Sequence, residues 1–193
     1  MNKLEELISN LECIFHGEEI SINGAIKKIW KMLQKSKKER KKVYIVGNGG
    51  SAGIASHFCN DLIKACGIAS LTLTDSNMMT CMANDYGYDF VYSKPIEVLG
   101  NTGDILFAIS SSGQSKNILQ SVYVAKNKGM NIITLSGFKN NCPLKRMGDI
   151  NIWLDSCDYG LVEMGHFFLL HSIVDLWKNR NFQTINELVY AKK

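Results

Sequence analysis

Five short apolar runs, at residues 43–46, 69–74, 104–109, 131–135 and 150–154, punctuate the chain. Their valine, isoleucine, leucine and phenylalanine content predicts strands, and the run at 104–109 reads as one buried on both faces. Between them lie stretches whose apolar residues recur every three or four positions, the period of a helix with one buried face. These are residues 51–65, 77–82, 89–99 and about 116–128, with a long last helix over 159–180 and a tail to residue 193. Residues 1–37 read as helical throughout: Leu4, Leu7, Leu11 and Ile14/Phe15 make one stripe. Ile20, Ile22, Ala25, Ile26, Ile29, Trp30 and Leu33 make a second, with a break at Gly17.

Strands that alternate with helices predict an α/β fold, a three-layer αβα sandwich around a five-stranded parallel sheet. The amino-terminal helices (1–37) precede that α/β core (43–154). At 193 residues the chain is one domain. In such sheets ligands sit beyond the carboxyl ends of the strands. Two unusual turns fall there. After Val46 comes Gly47-Asn48-Gly49-Gly50-Ser51. After Ile109 comes Ser110-Ser111-Ser112-Gly113-Gln114-Ser115. The first is an anion corner or a plain turn with Ser51 as helix cap, since glycine lets a ligand approach the main chain and the next helix offers free N–H groups. The second combines hydroxyls with a helix start and predicts a phosphate cradle that needs no cation. The P-loop spacing with its lysine is missing, and Ala52 stands where a dinucleotide fingerprint needs its third glycine. Both exclusions disfavour a nucleotide.

Composition adds limits. Hydrophobic residues are 46% and charged residues 21%, ordinary for a globular protein. Much of the net charge of +4 comes from the lysine-rich run at 35–42. That run reads as a solvated helix end; without an aromatic residue for base stacking it predicts no nucleic-acid partner. The six cysteines include no CxxC pair. The first residues lack the apolar core of a leader, and no apolar run reaches membrane-span length. The expectation is a cytoplasmic protein with reduced thiols and no membrane association.

His57 and Asp61, four apart, share one face of the helix after the glycine turn. They either pair with one another or project together into the site. On the last helix Glu163 and His171 lie about 80° apart around the axis and can face one pocket, whereas His166 and His171 lie about 140° apart. Phe167, Phe168, Leu169, Leu170, Ile173, Val174, Leu176 and Trp177 make that helix apolar on nearly all sides, which predicts burial. A buried histidine or carboxylate there needs a partner. His16, near the break at Gly17, reads as a surface or packing residue.

Taken together, Gly47–Ala52 with His57, residues 83–88, the serine loop at 110–115 and the last helix with His171 resemble the sugar isomerase (SIS) domain proteins, and among them the phosphoheptose isomerases. The resemblance spans nearly the whole chain. It implies a flavodoxin-like SIS fold and interconversion of sedoheptulose 7-phosphate and D-glycero-D-manno-heptose 7-phosphate, on the way to lipopolysaccharide or capsule precursors. It implies that Asn48, Gly49, Gly50 and Ser51 hold the sugar, that Ser110, Ser111, Ser112 and Ser115 hold the phosphate, and that Asn84 and Asp85 contact substrate hydroxyls. It further implies one zinc per subunit on His57, Asp61, Glu163 and His171, with Glu163 also touching substrate and Asp61 and His171 as acid and base on opposite sides of it. A homotetramer with active sites at subunit interfaces belongs to the same expectation. Two positions depart from the family pattern: Asp61 replaces a glutamate and Glu163 replaces a glutamine. The alternatives are a SIS protein that binds phosphosugars or protein partners without catalysis, of the replication-initiator-associating type, and an isomerase of another phosphosugar.

Overall fold

The computed structural model of the protein describes residues 3–179; the tail beyond the last helix lies outside them. Seven strands form one sheet: β1 (Glu12–Phe15), β2 (Glu18–Ile20), β3 (Val43–Val46), β4 (Ser70–Thr72), β5 (Ile105–Ser110), β6 (Asn131–Gly137) and β7 (Ile150–Leu154), in the order β2-β1-β7-β6-β5-β3-β4. The last five pair in parallel. They are the expected five-stranded sheet, in the flavodoxin-like order. Their residues alternate between two cores. Val43, Ile45, Phe107, Ile109, Ile133 and Leu135 face one layer, with α1 (Lys3–Ser9), α2 (Ile22–Lys38), α3 (Gly50–Asp61) and α7 (Tyr159–Asn179). Tyr44, Val46, Leu106, Ala108 and Ile132 face the other, with α5 (Ser93–Leu99) and α6 (Lys116–Asn127). Because β3 and β5 are covered on both sides, residues 43–46 and 105–109 are apolar without a break.

The amino-terminal segment corrects the all-helical reading of residues 1–37. Between α1 and α2, β1 and β2 form an antiparallel hairpin, and β1 also pairs antiparallel with β7. Its two-residue turn is His16-Gly17, with φ of 47° and 90°. Two successive positive φ values suit the right-handed twist of a hairpin, and the glycine makes the second one cheap. Leu11, Ile14 and Phe15 fit a helical spacing over too few residues to distinguish it from a strand. A buried lysine fastens this edge: Lys145 pairs with Glu12, donates to Asn140 Oδ1 at 2.7 Å and lies 3.8 Å over the Trp153 ring. The basic run at 35–42 is the end of α2 and the turn after it, as expected, and Lys37 caps the Cys66 carbonyl at 2.6 Å.

Helix α7 buries Val162, His166, Leu169, Leu170, Ile173 and Val174 against the sheet. It does not bury its whole circumference: Met164 is 54% exposed, and Phe167 and Phe168 are half-buried beside Leu4. An apolar circumference therefore does not mean complete burial within one chain. No described helix is long and apolar enough to cross a membrane. All six cysteines are free thiols, four of them buried.

His166 is fully buried, and its Nε2–H donates to the Ser136 carbonyl at 3.2 Å. Burial pushes its pKa down to about 4, against an upward pull from that hydrogen bond. The folded state therefore holds the ring neutral where the unfolded chain, titrating near 6.5, takes up a proton. The stability this supplies is fully present above pH 6.5 and is lost as pH falls from there towards 4, by about 1.4 kcal/mol per pH unit. Thermal melts across that window are expected to show a falling Tm, with a shallower slope in His166→Phe; equal slopes would refute the assignment. Two glycines at the start of α3 make a second test. A Cβ on Gly47 would meet the Ser51 backbone oxygen at 2.6 Å, whereas one on Gly50 would meet only the tip of the Glu163 side chain. Gly47→Ala is expected to cost about 1–3 kcal/mol by denaturant titration, and Gly50→Ala less than about 1 kcal/mol because a flexible carboxylate can swing aside.

Candidate active site

The glycine turn leaves β3 and is held from three sides. Tyr92, buried in the opposite layer, donates its hydroxyl to the Gly47 carbonyl at 2.5 Å. Burial is the main reason its pKa is pushed up to about 12, with the neighbouring Tyr88 adding to it, so the donor proton stays in place. Asn48 exchanges two hydrogen bonds of 2.9 Å with Asn117, near the start of α6. Tyr88 reaches the same Asn48 oxygen at 3.2 Å. Gly49 takes φ 54° as the cap of α3. At Gly50 the missing side chain makes room for the carboxylate of Glu163, so α3 and α7 meet closely there.

The serine loop leaves β5, the strand beside β3. Ser110 donates to Ser115 at 3.1 Å, and Ser112 accepts from the Gln114 N–H at 3.3 Å. The Ser111 hydroxyl is buried without a hydrogen-bond partner. Gly113, at φ 63°, lies where any Cβ would strike Cys142. Asn48, Gly49, Gly50 and Ser51 from one turn and Ser110, Ser111, Ser112 and Ser115 from the other line a single cavity of about 220 Å³. Tyr159 and Glu163, at the start of α7, complete it. A lone buried hydroxyl, three further hydroxyls and the amide ends of two helices suit an oxyanion. The Glu163 carboxylate beside them suits hydroxyl donors.

Farther along α3 and α7, three more side chains converge. His57 Nε2 lies 3.2 Å and His171 Nδ1 3.3 Å from the same atom, Asp61 Oδ2. Asp61 Oδ2 and His171 Nδ1 are both buried with no hydrogen bond. Phe167 stacks on His171 and meets His57 edge-on, which sets the orientation of the two rings. Directly after Asp61 the helix widens into a π turn, Leu62–Cys66. Such widened turns often accompany functional sites. Two imidazoles and a carboxylate, with ligand atoms within 4.8 Å of one another, fit a divalent cation. The orphaned oxygen and nitrogen are the atoms a cation would satisfy.

Other expected site residues stand apart from these three. Glu163 is not part of this group; it lies two helical turns, about 12 Å along the axis, from His171, over Gly50. Asp61 and His171 are direct neighbours, 3.3 Å apart. Asn84 and Asp85 bind one another at 2.9 Å at the exposed end of α4 (Ser76–Tyr86) and do not line the cavity. In the same α4–α5 segment it is Tyr88 that reaches the glycine turn. Tyr88, Asn117 and Tyr159 carried no signal as isolated residues in the sequence, because their roles depend on partners 40 or more residues away or on the cavity itself.

Known proteins match this architecture. The SIS domain family matches residues 7–137. The phosphoheptose isomerase of Campylobacter concisus is 38% identical over 81% of this chain and 86% of its own length. The phosphoheptose isomerase structure from Francisella tularensis superposes with a TM-score of 0.74 at 30% identity, covering 81% of this chain and 86% of that one. The one from Neisseria gonorrhoeae gives 0.71 at 29% identity, with the same coverage. The chain thus belongs to the SIS domain family, where the relatives it resembles are phosphoheptose isomerases.

Proposed function

We propose that this protein is an aldose–ketose isomerase that interconverts sedoheptulose 7-phosphate and D-glycero-D-manno-heptose 7-phosphate. The observation that carries the reading is the Asp61 oxygen, unsatisfied and flanked by two imidazole nitrogens, on the same two helices, α3 and α7, whose first turns line the serine cavity. The names of the relatives support the substrate. In this reading Ser110, Ser111, Ser112 and Ser115 hold the phosphate. Asn48, Gly49, Gly50, Ser51 and Glu163 hold the sugar, and its carbonyl end points along α7 towards Asp61. Glu163, unlike the glutamine of the family pattern, presents acceptor atoms only to the sugar hydroxyls.

Isomerisation moves one proton between adjacent carbons and another between their oxygens. Asp61 takes the proton from C1 of the ketose, the electron pair forms the C1–C2 double bond of an enediol, and the same carboxylic acid returns the proton to C2. His171, 3.3 Å from that carboxylate, carries the proton from O1 to O2. Both residues stand on one side, so the carbon proton is delivered to the face it left. Asp61 is one methylene shorter than the family's glutamate, yet it still reaches both imidazoles. His57, Asp61 and His171 would hold zinc with an open position, as catalytic zinc sites do. A zinc ion held there would supply a Lewis acid for the substrate oxygens.

We further propose a homotetramer with interface active sites: the half-exposed Met164, Phe167 and Phe168 of α7 lie beside His171 and offer an apolar surface for another subunit. The free thiols support a cytoplasmic location.

Turnover of sedoheptulose 7-phosphate is expected in the wild type, with kcat lowered about 10²–10⁴-fold in Asp61→Asn and His171→Ala. Full activity in both variants would overturn these roles, and wild-type binding without turnover would mark a phosphosugar-binding protein instead. Elemental analysis is expected to find about one zinc per subunit and little in His57→Ala. Chelation that leaves activity untouched would exclude the metal.

A further inference from the structure

We infer that Asn117 is a positioning residue, which locks the Asn48 side-chain amide so that it offers the bound sugar a hydrogen-bond donor and no acceptor. The inference rests on the phosphosugar site proposed above.

Asn117 is 2% exposed and lies in the first turn of α6, directly after the serine loop. Its Oδ1 accepts from the Ile118 N–H at 3.0 Å. That N–H also donates to the Ser115 carbonyl at 3.0 Å; shared between two acceptors, it favours oxygen over nitrogen at the facing atom of Asn117. The opposing atoms of Asn48 follow: Nδ2 donates to Asn117 Oδ1, and Oδ1 accepts from Asn117 Nδ2. The Tyr88 hydroxyl adds a second donor to Asn48 Oδ1. Both acceptor positions of Asn48 Oδ1 are then occupied, while one of its two amide N–H bonds is left over. Asn48 lines the cavity, so the remaining donor serves a sugar oxygen there.

The arrangement has two consequences. Unrestrained, the Asn48 amide could rotate by half a turn and present its oxygen to a hydroxyl donor; the lock selects a ligand oxygen that accepts, whether hydroxyl, carbonyl or ring oxygen. The pair also ties the turn after β3 to the helix after β5, fixing the distance between the sugar-holding and phosphate-holding loops. A contact made equally in ground and transition states changes KM more than kcat.

The test compares wild type, Asn48→Ala, Asn117→Ala and the double variant, measuring sedoheptulose 7-phosphate kinetics and inorganic phosphate binding. Asn117→Ala is expected to raise KM about tenfold with kcat changed less than threefold, and to leave the phosphate Kd within twofold. In the Asn48→Ala background it is expected to add nothing. Unchanged KM, additive losses, or equal loss of phosphate affinity would overturn the inference. Should Asn117→Ala fail to fold, Asn117→Asp keeps the shape and the acceptor but removes the donor to Asn48, and the same KM rise is expected. If the wild type neither binds nor turns over the heptulose phosphate, the proposed function fails. The lock is then read without sugar: NMR is expected to find slow exchange of the Asn48 side-chain amide in the wild type and fast exchange in Asn117→Ala. Equal exchange in the two proteins would overturn the lock itself.

Discussion

Parallel pairing of β3 with β5 is the constraint on which the site depends. Two strands can run side by side in the same direction only if the chain crosses back between them. Each crossing here ends at the same edge of the sheet, so the turn after Val46 and the turn after Ser110 open next to one another. Helices α3 and α6 leave from those turns, and their amide ends converge on the space between. Neither turn makes a cavity alone. The glycines supply backbone space and the serines supply hydroxyls, and the ligand site exists because the strand register sets them face to face.

The second determinant is the packing of α3 along α7. Both helices follow strands of one parallel sheet, so they run in the same direction and match level by level. Gly50 meets Glu163 at the first level, and Asp61 meets His171 about three turns along α3 and two along α7. Those levels separate two kinds of chemistry: oxyanion and hydroxyl recognition near the strand ends, and a proton-transfer or cation site farther along. A phosphorylated sugar several carbons long is a ligand that needs both. The same geometry sets Glu163 apart from His57, Asp61 and His171 and places it in the lining of the serine cavity, which a face-of-helix calculation on α7 alone does not show.

Several buried polar groups in this core are tied to named partners, and three others belong to the candidate site. Lys145 is buried but satisfied by Glu12, Asn140 and the Trp153 ring. Tyr92 is buried and satisfied by Gly47. Ser111, Asp61 and His171 keep atoms that are buried and unsatisfied, and all three belong to the candidate site. Orphaned atoms cost free energy in a folded protein, and a bound ligand or ion is the natural compensation. His166 and Ser136 also keep one orphaned atom each, away from the cavity; their shared hydrogen bond explains the ring's orientation but not those atoms.

Much of this was legible in the sequence because it is local. Unbroken apolar runs such as 105–109 mark strands covered on both faces, and glycine and serine turns at their carboxyl ends mark the ligand edge. The i, i+4 spacing of His57 and Asp61 places both side chains on one face, whatever surrounds them. The hairpin at Glu12–Ile20 was hidden, since a four-residue strand and a single helical turn share the same apolar spacing, and only pairing with β7 decides between them. Tertiary structure alone decided that Asp61 sits between two imidazoles from different helices, that Glu163 faces the sugar cavity, and that Asn117 holds Asn48 across 69 residues. Side-chain periodicity sets which face a residue occupies, but the partner across that face is set by how the helices and strands pack.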